Sequence, residues 1–97
     1  MGLPTLLPMH QSQHIADTAP TEATLTGYDM EHLVVYLRLL DAEADGADWQ
    51  EVAQIVLEAD PDKEPERVKR MWVSHLARAK WMTEVGYRHL LVGGAPN

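Results

Sequence analysis

The chain has 97 residues, a formal charge of -7 and no cysteine. That leaves room for one small core and excludes a disulfide framework or a thiolate site. No apolar run approaches the ~20 residues that span a bilayer, and a pI near 5.0 argues against nonspecific nucleic-acid binding by the chain as a whole.

Residues 1–27 hold Pro4, Pro8 and Pro20 among Thr and Gln, with no sustained periodicity. They read as a disordered tail, unable to bury enough surface to offset chain entropy. No basic stretch precedes an apolar one, so no signal peptide is expected and the chain reads as cytoplasmic.

The first predicted helix runs from about Asp29, with its carboxylate as the cap, to about Ala44, where Gly46 stops it. Leu33, Tyr36, Leu37, Leu40 and Ala44 make its inner face, and His32, Val35, Leu39 and Ala42 a second apolar stripe. The second helix runs from about Trp49 to Glu58, opened by Asp48 with Glu51, its inner face Trp49, Val52, Ala53 and Val56. Asp60-Pro61 breaks it. The third starts at Pro65, a position that suits proline, and runs to about Thr83. Its core stripe is Val68, Met71, Trp72, His75, Leu76, Ala79 and Met82. Gly86 ends it, Tyr87–Val92 is apolar enough to dock back, and 93–97 should fray. The expectation is a single all-α domain over 28–92.

Charge is segregated along the chain. Residues 1–28 carry -2, 29–64 carry -9 and 65–97 carry +4. No Gly-rich phosphate loop, nucleophile elbow or metal-binding helix motif occurs, so no catalytic, cofactor or metal residue is assigned and no enzyme is expected. His10 and His14 lack partner ligands, and His75 reads as a core histidine bonded to backbone or carboxylate. Two surfaces remain. On the first helix, Val35, Leu39 and Ala42, rimmed by Glu31, Asp41, Glu43 and Asp45, have the apolar centre and charged rim of a protein-binding face. On the third, Arg67, Arg70, Ser74, Arg78 and Trp81 fall within about 80° of arc. The order helix, connector, helix matches a helix-turn-helix unit whose later helix reads DNA, although acids in the connector repel phosphate.

Particular residues add a resemblance. Tyr28-Asp29, His32-Leu33 and Tyr36–Glu43 resemble the start of the "domain of unknown function 2285" family of proteobacterial mobile elements. Trp49–Ala53, Asp60-Pro61, His75–Met82 and Gly86–Arg88 resemble later parts of it in order and spacing. The resemblance implies a three-helix helix-turn-helix variant with an extended turn. It also implies two functional types: activators that use a basic face on DNA, and stand-alone acidic antiactivators that bind the activator and block transcription. With its charge of -7 the chain is similar to the second type. The implied partner is a transcriptional activator of an integrative and conjugative element, with a LuxR-class quorum-sensing regulator as a further one. On this reading the chain is a monomer or weak dimer that mimics the activator's own domain. The alternative is a small DNA-binding regulator using the third helix.

Overall fold

Thr26 opens the helical part of the chain. Its hydroxyl accepts from the Asp29 backbone N–H at 3.1 Å, while the Asp29 carboxylate accepts from the Thr26 N–H at 3.0 Å. This reciprocal capping box satisfies two donors that a helix start leaves unpaired. Asp29 is therefore the third residue of the helix, where the sequence alone suggested the cap. The helices were read from a computed structural model that describes residues 15–86. They are α1 (Gly27–Glu31), α2 (Leu33–Ala44), α3 (Trp49–Ile55) and α4 (Pro65–Trp81), continued by a π-helical turn over Met82–Gly86. The expectations for His10, His14, Tyr87–Val92 and 93–97 concern residues outside those described.

The single first helix expected from the sequence is divided at His32. This residue leaves helical geometry at φ -118° and ψ 25°, and its Nδ1 lies 2.8 Å from the Tyr28 carbonyl oxygen. Its ring stacks on Tyr28 with centroids 3.9 Å apart. Gly46 stops α2 as expected. It adopts φ 73°, its N–H donates to the Glu43 carbonyl, and that of Ala47 donates to Ala42, both at 3.0 Å. These two bonds form the Schellman pattern that favours glycine at this position. Asp48 caps α3 by accepting from the N–H groups of Gln50 and Glu51. That helix ends at Ile55, three residues before the expected Glu58, which itself takes a left-handed conformation at φ 55°. The nine-residue connection 56–64 then leads to Pro65 in the first turn of α4. The architecture is all-helical, with α3, an extended turn and α4 arranged as a helix-turn-helix-like unit packed on α2.

The larger apolar cluster joins Val35 and Leu39 of α2, Val52, Ala53 and Leu57 around α3, and Val68, Met71 and Leu76 of α4. The smaller joins Tyr36, Ala79 and Met82. The expected stripes on α3 and α4 face inward. Both stripes on α2 contribute to the core. Of the expected inner face, Tyr36 is buried and Leu33 and Leu40 pack on the smaller cluster, whereas Leu37 is 61% exposed and Ala44 is exposed; of the second stripe, Val35 and Leu39 are core residues and Ala42 packs against them. The protein-binding centre proposed at Val35, Leu39 and Ala42 is thereby corrected. Val35 and Leu39 pack in one cluster with residues of α3 and α4, which takes their apolar surface out of water.

The tail expected over 1–27 is likewise revised for its second half. Residues 15–26 form no helix or strand, yet they lie against the domain with Ala19 buried and Ile15 and Leu25 packed on the two clusters.

Between these layers sits a buried polar group. Arg78 donates to Asp29 through Nε at 3.0 Å and a terminal nitrogen at 2.7 Å. Tyr36 donates its hydroxyl to the same carboxylate at 2.7 Å. Burial alone would raise the Asp29 pKa, but the hydrogen bonds from Arg78, Tyr36 and the Thr26 backbone, with the Arg78 charge, hold it at about 2. His75 is fully buried, with Nδ1 2.8 Å from the Met71 carbonyl oxygen and Nε2 2.6 Å from the Tyr28 hydroxyl. This geometry places the proton on Nδ1 and makes Nε2 the acceptor. Burial pushes the His75 pKa down, so the ring stays neutral.

Both depressed pKa values make the fold acid-sensitive, because the unfolded chain takes up protons that the native state resists. Stability should begin to fall as pH drops below about 6.5 through His75. A further loss of roughly 2 kcal/mol follows between about pH 4 and pH 2 through Asp29. Urea unfolding at a series of pH values measures both steps. Asp29→Asn should cost ~3–5 kcal/mol at neutral pH, by leaving Arg78 buried without its counter-charge, and should remove the lower step.

Candidate nucleic-acid interface

The outward face of α4 follows from which of its faces is sealed. Val68, Met71, His75, Leu76 and Ala79 are buried against α2 and α3. At about 100° per residue the opposite arc carries Glu66, Arg70, Val73 and Ala77, and all four are exposed. Lys69 and Lys80 flank this strip on one side and Arg67 on the other.

Each flanking cation has a local contact. The Lys69 ammonium sits 4.7 Å from the Trp49 ring centroid and 6.0 Å from that of Trp72. These two rings, 5.9 Å apart, lie where α3 meets α4. Lys80 pairs with Glu43 at 2.9 Å, and Arg67 with Glu64 and Asp17, each at 2.9 Å. All three pairs are solvent-exposed, where such contacts contribute little and exchange readily for another anion. Arg70, at the centre, makes no ion pair or hydrogen bond among the described residues.

The stripe expected from the sequence divides accordingly. Of Arg67, Ser74, Arg78, Trp81 and Arg70, only Arg70 stands in the middle of the outward face. Arg67 lies at its edge. The Ala19 N–H donates to the Ser74 hydroxyl at 3.0 Å, beneath residues 15–26. Arg78 is 4% exposed and donates to the carbonyls of Glu22 at 2.7 Å and Thr24 at 3.0 Å, as well as to Asp29. Its guanidinium also lies 3.8 Å from the ring centroid of the half-buried Trp81. Ser74 and Arg78 are thus corrected from a DNA- or partner-facing role to an internal one. The physical reason is electrostatic: Arg78 finds a buried carboxylate and two backbone carbonyls, a stronger set than water and phosphate at a surface offer.

Lys69, Val73, Ala77 and Lys80 were missed by the sequence reading. The signal for them was present, since they surround the arc opposite the core stripe of the same helix. The acids predicted to rim a protein-binding face are all exposed: Glu31 at the end of α1, Asp41 and Glu43 on α2, and Asp45 at its C-terminal end. Glu43 is the one paired with Lys80. Val34 and Leu37, 58% and 61% exposed, lie on that side of α2. A separate open apolar groove of about 440 Å³ runs between α2 and the end of α4, lined by Leu33, Leu37, Leu40, Ala79 and Met82 among others. No helix among the described residues is long and apolar enough to cross a membrane.

A helix-turn-helix-like domain that turns a cation-flanked face of its second helix to solvent has the layout of a DNA-binding domain. Comparison with known families is specific on this point. Residues 3–92 match the RovC DNA-binding-domain family, described as a T6SS transcription factor DNA-binding domain, and the chain belongs to that family. No curated protein matches it.

The two arginines at the edges of the α4 face differ sharply in what they hold together. Arg67→Ala should change stability by no more than ~1 kcal/mol, as expected of an exposed ion pair. Arg78→Ala should cost ~3 kcal/mol or more by stranding the buried Asp29 carboxylate. Thermal or urea unfolding of the two variants beside the parent chain checks the contrast.

Proposed function

We propose that the chain is a DNA-reading domain of a transcription regulator, placing the outward face of α4 in the major groove. The observation that carries this reading is the arrangement of Lys69, Arg70, Lys80 and Arg67 along the exposed side of the second helix of a helix-turn-helix-like unit. In such units that helix enters the groove while flanking cations hold phosphates. The family to which the chain belongs supports the same reading. The net charge of -7 confines favourable approach to this one face, because the acids of α2 and the connector repel the backbone elsewhere. Binding is therefore weak off-site and oriented. No chemical step is involved.

Three phosphate contacts, from Arg67, Lys69 and Lys80, give a slope of about -3 in log affinity against log salt. Titration of labelled duplex by anisotropy should show roughly a 40-fold loss between 50 and 200 mM salt. Lys80→Ala should reduce the slope by about 1. Absence of binding to duplex at 50 mM salt would remove the proposal.

A second reading is favoured by a different observation, the exposed Val34 and Leu37 of α2 with Glu31 at the end of α1, Asp41 on α2 and Asp45 just after it. An apolar centre with an acidic rim suits a basic protein partner. On this reading the chain is an antiactivator that docks on a transcriptional activator of a conjugative element under quorum-sensing control, in place of the activator's own domain. A LuxR-class regulator would be a second target. Leu37→Asp should then abolish recovery of the activator in a pull-down from a donor strain, and Arg70→Glu should leave it intact. The reverse pattern would place the contact on α4.

A further inference from the structure

We infer that Arg70 is the base-reading residue of α4 and that it selects a guanine, with Val73 and Ala77 meeting a thymine methyl within the next three base pairs. The inference rests on the DNA-reading function proposed above and adds to it which residue carries sequence information.

The other cations of the face are already engaged. Arg67 and Lys80 hold exposed carboxylates, and Lys69 lies over two indole rings. All three sit at the margins of the outward arc, where a helix lying in the major groove passes the two phosphate backbones. Arg70 sits on its centre line, and no contact among the described residues commits its guanidinium. A central arginine with a planar fork of donors matches the O6 and N7 acceptors of guanine, the pair of acceptors that the groove presents side by side.

The neighbours on the same line are the wrong type for phosphate and the right type for base edges. Val73 and Ala77 are apolar and exposed. A residue chosen only for solvation would be polar here, whereas the C5-methyl group of thymine gives an exposed valine and alanine an apolar partner. Glu66, one turn before Arg70, repels phosphate and accepts from the N4 amino group of cytosine. At ~1.5 Å of rise per residue, Arg70 to Val73 spans about 4.5 Å and Arg70 to Ala77 about 10.5 Å. Base pairs repeat every ~3.4 Å, so the strip covers about three of them beyond the guanine.

The test uses the full chain. A site is selected from a random duplex library at low salt. Binding is then measured to that site, to the same site with 7-deazaguanine for each guanine in turn, to the site with uracil for thymine, and to random duplex. One guanine should prove sensitive, with roughly tenfold or greater loss when N7 is removed. Arg70→Ala should bind the selected site ~10–100-fold more weakly, bind random duplex nearly as the parent does, and no longer respond to 7-deazaguanine. Val73→Ala should shrink the few-fold effect of removing the thymine methyl. Circular dichroism should be unchanged in both variants, because both side chains are exposed.

Two results overturn the inference while leaving the DNA-reading function standing: selection that enriches no guanine although duplex is bound, or an Arg70→Ala loss equal on selected and random DNA, which makes Arg70 a phosphate contact. Failure to bind any duplex overturns the DNA-reading function itself, and this inference with it.

Discussion

The bond between Asp29 and Arg78 organises the molecule. A carboxylate and a guanidinium are both removed from water, which is costly unless every donor and acceptor is used. Here each nitrogen and oxygen of the pair has a partner. Asp29 closes the cap of α1 and takes the Tyr36 hydroxyl, while Arg78 also donates to the carbonyls of Glu22 and Thr24. One pair thus ties together the segment before α1, α1 itself, α2 and α4. Among the described residues no buried side-chain nitrogen or oxygen lacks a partner. The apolar clusters supply most of the driving force, but they are tolerant of rotation; a two-point hydrogen-bonded ion pair is not.

That rigidity decides which way α4 faces. With Arg78 drawn inward, Ser74 turns toward residues 15–26, and the arc through Glu66, Arg70, Val73 and Ala77 turns out. The Tyr28–His75 hydrogen bond fixes the same rotation one turn earlier, and it does so with neutral groups. The functional face is in this sense a by-product of a structural bond on its flank. The negative charge is spread over residues 29–64, which carry -9, whereas the outward arc of α4 is flanked by Lys69, Lys80 and Arg67. On the DNA-reading proposal such a field would orient the approach of DNA towards α4.

The parts of this fold that obey a period were legible in the sequence. The inner faces of α3 and α4 follow from apolar spacing, Pro65 and Asp48 mark the starts of their helices, and Gly46 ends α2. The long connection could be read from Asp60-Pro61 and Pro65, and the description of the chain as a helix-turn-helix variant holds. The inner face of α2 was legible only in part: Tyr36 is buried as expected, but the burial of Val35 and Leu39 and the exposure of Leu37 depend on tertiary packing, because both stripes are apolar. The ordering of residues 15–26 was hidden for a different reason. Most of its anchoring is through backbone groups, the N–H of Ala16 and Ala19 and the carbonyls of Glu22 and Thr24, and backbone groups leave no trace in side-chain pattern. Arg78 looked like a surface cation because its partner lies 49 positions away. Of the five residues expected to form the basic stripe, the structure leaves Arg70 where the sequence put it, and the residues around it are supplied by the opposite side of the core stripe.

The separation of 49 residues between Asp29 and Arg78 has a bearing on how the chain is made. Synthesis runs from the N-terminus at ~5–20 residues per second, so the Asp29 carboxylate waits some seconds for its counter-charge. During that interval α1 can cap itself through Thr26, but residues 15–26 have no surface to lie on, since Ser74, His75 and Arg78 all belong to the last helix. Docking of residues 15–26 therefore waits for α4, the element that supplies their partners.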